Sequence, residues 1–154
     1  MDILREQISN SLKGGHAFIS VEKALEGIDP DKRNLRPNEN LHSIWEELEH
    51  LRLAQKDLLY YMIDPDWKSP KWPEGYWPDE NLKFDDEVWE KTYKDFLGDL
   101  NKSIQLAENP KIDLLKIIPH TESHTYLREF FILIEHNAYH LGKIVDIRKS
   151  LGNW

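Results

Sequence analysis

The stretch Thr125 to Leu151, TYLREFFILIEHNAYHLGKIVDIRKSL, constrains the fold more than any other part of the chain. No proline interrupts it, helix formers dominate it, and apolar residues recur at the three- and four-residue spacing of a buried helical face. Leu127, Phe131, Ile134, Ala138, Leu141 and Val145 fall on one stripe, flanked by Phe130, Leu133, Ile144 and Ile147. The apolar arc is roughly 200° wide, with Arg128, Glu135, Tyr139, Lys143 and Asp146 on the remainder. A face this wide needs two neighbouring helices, or one neighbour and a second copy of the chain.

His136 and His140 sit at one edge of that arc, four residues apart. One turn, about 6 Å of rise, lets both imidazoles aim at a point between them. A helix offers two nitrogens to one metal ion in this way. A second pair, His120 and His124, follows Pro119 where the chain is only entering the helix; these read as turn and capping residues.

The remaining pattern predicts three more long helices. Residues 2 to about 26 carry Ile8, Leu12, Phe18, Ile19, Val21 and Leu25 on one side. Gly14-Gly15 interrupts them, as a kink, a helix boundary, or a place where missing side chains make room for a pocket next to His16. Gly27 and Pro30 stop this segment. The second helix, from about Leu41 to Met62, has a core stripe of Ile44, Leu48, Leu51, Leu58, Leu59 and Met62, with Leu41 and Trp45 beside it. His50 lies at the polar margin of that stripe, as His136 and His140 do on theirs. Glu46 and Glu47, one turn before His50, are candidates for orienting a ligand imidazole or acting as a general base. The pattern by itself favours a solvated acidic face for both, and leaves His42 as a surface or capping residue.

Residues 63 to 83, IDPDWKSPKWPEGYWPDENLK, carry too many Pro and Trp for a helix or a paired strand. A loop this long and aromatic is expected to lie on the bundle, held by Trp67, Trp72, Tyr76 and Trp77. It is long enough to let the third helix, Asp85 to Glu108, start at the same end as the second. Asn109-Pro110 ends that helix, and LLKIIP in the following link is expected to pack under the bundle. The prediction is an all-α, single-domain four-helix bundle with a long crossover between the second and third helices.

Composition narrows the function. A net charge of −8 argues against nucleic-acid or anionic-membrane partners, and no apolar run approaches the ~18 residues of a membrane span. The absence of cysteine removes disulfides, thiolate ligands and a cysteine nucleophile together. The charged opening MDILREQISNSL lacks the apolar block of an export signal, so the expected location is the cytoplasm. No phosphate loop, nucleophile elbow or Ser/His/Asp order is present. Three histidines on two helices, His50 with His136 and His140, would hold a divalent ion and leave a coordination position open. The alternative is a non-catalytic, dimeric helical protein whose histidines only satisfy polar edges of the core.

The block REFFILIEHNAYHLGKIVDIRKSLG resembles the closing helix of the DinB/YfiT-like superfamily, where a His, three residues and a second His precede a small residue, here Gly142. SIWEELEHLRLAQKDLL is similar to the second helix of that superfamily, with His50 at the position of the remaining ligand. GGHA and PDWKSPKWPEGYWP extend the resemblance over nearly the whole chain. It implies a four-helix bundle with an overside crossover, zinc or nickel held by the three histidines, homodimerisation, and metal-dependent hydrolysis or thiol transfer on a small molecule.

Overall fold

The computed structural model describes residues 2–79 and 81–154, and among them every extended element is helical. Helix α1 spans Ile3–Lys13, α2 Val21–Leu25, α3 Ile44–Ile63, α4 Asp86–Glu108 and α5 Tyr126–Ser150. Side-chain oxygens at the N-caps Asp2, Ser20, Ser43, Asp85 and Thr125 accept backbone N–H groups that the first turn of each helix leaves free. At α3 the cap is reciprocal: Ser43 and Glu46 each accept from the other's backbone.

The predicted first helix is two. Gly14 and Gly15 take φ of +74° and +90°, and a Cβ on Gly14 would stand 2.7 Å from the Ile19 carbonyl oxygen. The glycine pair is therefore a helix boundary and a close-packed turn.

Helices α1, α3, α4 and α5 form the bundle. Trp45 Nε1 donates to Thr92 Oγ1 near the starts of α3 and α4, and Lys102 lies over Tyr60 near their ends, so the two run parallel. The crossover thus travels the length of the bundle, as its length allows. Helix α5 runs against α3: Glu47 meets Lys143, His50 meets His136, and Tyr61 meets His124. Arg5 at the start of α1 donates to the Ala107 and Asn109 carbonyls at 3.0 and 2.8 Å, capping the end of α4, which α1 therefore opposes.

Leu48, Leu51, Phe96, Phe130, Leu133, Leu141 and Ile144 fill the centre, and Leu114 and Ile118 of the link close one end. The buried face of α5 is rotated from the predicted stripe. It runs through Phe130, Leu133, Asn137, His140, Ile144 and Ile147, while Phe131 stays 51% exposed. Polar residues on this face find partners across the bundle: Asn137 Nδ2 donates to Gln55 Oε1, and Gln55 Nε2 to the Phe96 carbonyl at 2.7 Å, while Asn137 Oδ1 is buried without a partner. Among the described residues, no helix is long and apolar enough to cross a membrane.

Candidate metal centre

The antiparallel register of α3 and α5 sets His50 opposite His136 and His140. His50 Nε2 lies 3.0 Å from His136 Nε2 and 3.1 Å from His140 Nε2. The ligating atoms of the three rings all fall within 4.8 Å of one another. That spacing is close to the separation of neighbouring ligands each about 2.1 Å from one ion.

The other nitrogens show which tautomers are present. His50 Nδ1 donates to the Tyr76 carbonyl at 2.7 Å, and His140 Nδ1 lies 2.6 Å from Glu47 Oε2. A carbonyl and a carboxylate only accept, so each Nδ1 carries a proton and each Nε2 is turned inward. His136 Nδ1 is buried without a partner. Burial, reinforced by the neighbouring His140 and His50, pushes the His136 pKa down to about 3; burial lowers that of His50 too. Opposed lone pairs at this distance repel unless a cation or a proton lies between them. Three imidazole nitrogens converging on one point are the donor set of a divalent transition-metal ion, and the residues present fit one.

Glu47 is 0% exposed, against the solvated face its sequence pattern favours. Its Oε1 lies 3.0 Å from His42 Nδ1 and 2.5 Å from Lys143 Nζ. Burial alone would raise its pKa; the hydrogen bonds from His140, Lys143 and His42 outweigh it and bring the value down to about 2. Glu46 is half-buried and turned elsewhere, its carboxylate engaged by Arg36 and the Ser43 backbone. A general-base role finds no support at Glu46, and at Glu47 the carboxylate is fully committed to its donors. His16 is exposed and outside the cluster. A cavity of about 320 Å³ does open beside Gly14, but Lys13, Ser20, Tyr93 and Leu97 line it, not His16. His120 and His124 bond the Tyr61 carbonyl and hydroxyl, as turn residues.

The crossover supplies a wall. Trp77 stacks on His50, centroids 4.1 Å apart and planes at 11°, and also packs on His42. Asp57 accepts from Trp67 Nε1 at 2.7 Å and Tyr76 Oη at 2.6 Å, pinning the segment to α3. Trp72, expected among the anchors, is 71% exposed. A cavity of about 560 Å³ lies on the other side of this wall, lined by Trp77, His42, Arg36 and Trp45 among others.

Sequence reasoning did not reach four contributors. His42 and Lys143 carry a positional signal, five residues before Glu47 and one turn after His140, that becomes readable only once α3 and α5 are paired. The Tyr76 carbonyl is backbone and has no residue code. Trp77 was visible as an anchor of the crossover but not as a partner of His50.

The second and last long helices of the bundle bring three imidazoles to one point, a group that could hold a metal ion. A family model of the DinB superfamily matches residues 20–144, and the chain belongs to that superfamily. No curated protein and no solved structure matches it significantly.

Proposed function

We propose that the protein is a metal-dependent enzyme in which His50, His136 and His140 hold one divalent ion, zinc or nickel, through Nε2, with a coordination position left for a small molecule. The observation that carries this reading is the convergence of three Nε2 atoms, two of them held as lone-pair donors by acceptors on Nδ1. When bound, such an ion polarises a substrate oxygen or sulfur, or activates water or a thiol, which makes hydrolysis or thiol transfer the reaction class. The chain's own part is orientation and shielding: the Tyr76 carbonyl and Glu47 fix two rings, and Trp77 covers His50 from one side. The protein acts in the cytoplasm, as a homodimer joined through the half-exposed apolar strip of α5.

Thermal melting of metal-free protein with added Zn²⁺ or Ni²⁺ tests the site. An ion that binds only the native state adds about 2.7 kcal/mol at a hundredfold excess over Kd, which raises Tm by several degrees. His136→Ala abolishes the rise. A flat response in the unsubstituted protein, or an equal rise in the variant, contradicts the proposal.

A further inference from the structure

We infer that Glu47 is the positioning residue of this centre: it commits His140 to the Nδ1–H tautomer with Nε2 toward the cluster, and Lys143 and His42 hold Glu47 in that role. The inference deepens the metal-site reading and rests on it.

A carboxylate with no exposed surface is costly to bury unless it is paired with a cation and hydrogen-bonded at both oxygens. Glu47 meets that condition with three donors. His42 comes from the turn before α3, and His140 and Lys143 from successive turns of α5. A structural ion pair would need only Lys143. Here the oxygen opposite Lys143 is given to an imidazole whose second nitrogen faces His50 Nε2 at 3.1 Å.

The three rings are also unequal. His136 has no partner on Nδ1, and His50 has a neutral carbonyl. Only His140 has a carboxylate, which both orients the ring and raises the basicity of its free nitrogen. Lys143 adds a second function by position. It lies one turn beyond His140 on α5, so the helix that carries the ligand also carries the cation that engages the ligand's partner. A shift of α5 would move both together.

The test uses two readouts. In metal-free protein, long-range ¹H–¹⁵N NMR of the histidine rings reports which nitrogen of His140 bears the proton; Nδ1–H is expected. Glu47→Gln, similar in size but able to turn an N–H toward the ring, should lose that single tautomer. Its Co²⁺ affinity should fall 10- to 100-fold, with a changed visible d–d spectrum that lost stability alone would not produce. An Nε2–H tautomer of His140 in the unsubstituted protein overturns the inference without any variant. So does a Glu47→Gln protein with unaltered tautomer, affinity and spectrum. If the unsubstituted protein shows Nδ1–H yet takes up no Co²⁺, the metal reading fails while the hold of Glu47 on His140 stands.

Discussion

His136 is the ring with the least support, and its behaviour with pH follows from that. Burial and two neighbouring imidazoles push its pKa from 6.5 to about 3, and burial lowers His50 in the same direction. The unfolded chain takes up protons near the ordinary histidine value while the folded rings do not. Metal-free protein therefore loses stability as pH falls below about 6.5, by about 1.4 kcal/mol per pH unit for each extra proton bound by the unfolded state. Glu47 has the opposite origin but adds to the loss lower down: its carboxyl titrates at about 2 when folded, against 4.5, so its contribution is present above 4.5 and fades below. Between 6.5 and 4.5 the histidines act without Glu47. Denaturant midpoints in metal-free protein should fall from about pH 7 to pH 5, and His136→Gln should flatten the fall. An unsubstituted protein equally stable at both values would show that these rings are not held neutral.

Among the elements, α5 does two jobs on different faces. One faces α3 with Asn137, His140 and Lys143. The other leaves Leu127, Ile134 and Val145 half-buried and Phe131 largely exposed. The width of the apolar arc was readable from periodicity, but its centre was not, because the buried line passes through Asn137 and Arg148. Polarity marks both for solvent until Gln55 and the Ala24 carbonyl are seen to receive them. Helix starts were more legible at Asp85 and Thr125, which are the observed N-caps; α3 begins at Ile44 behind Ser43, three residues after its predicted start. If the exposed strip joins two copies, light scattering should give twice the chain's 18.3 kDa, and Phe131→Glu should reduce the mass to that of one chain. A single-chain mass for the unsubstituted protein at micromolar concentration would leave the strip without its proposed partner.

For the molecule as a whole, the parallel course of α3 and α4 matters most. It obliges the crossover to pass along the bundle, where the Tyr76 carbonyl and the Trp77 ring reach His50. The order of helices and the three histidines could be read in the chain because period, caps and breakers are local. The shell around them could not, because Glu47, Lys143 and the Tyr76 carbonyl acquire their roles only when distant segments meet. The proposed centre shares one ion between two helices. Metal content per chain, measured by elemental analysis after loading with Ni²⁺ or Zn²⁺ and removal of excess, tests it most directly. One equivalent is expected in the unsubstituted protein, with loss in His50→Ala as complete as in His140→Ala. Full occupancy retained by His50→Ala, or no metal in any form of the protein, would contradict it.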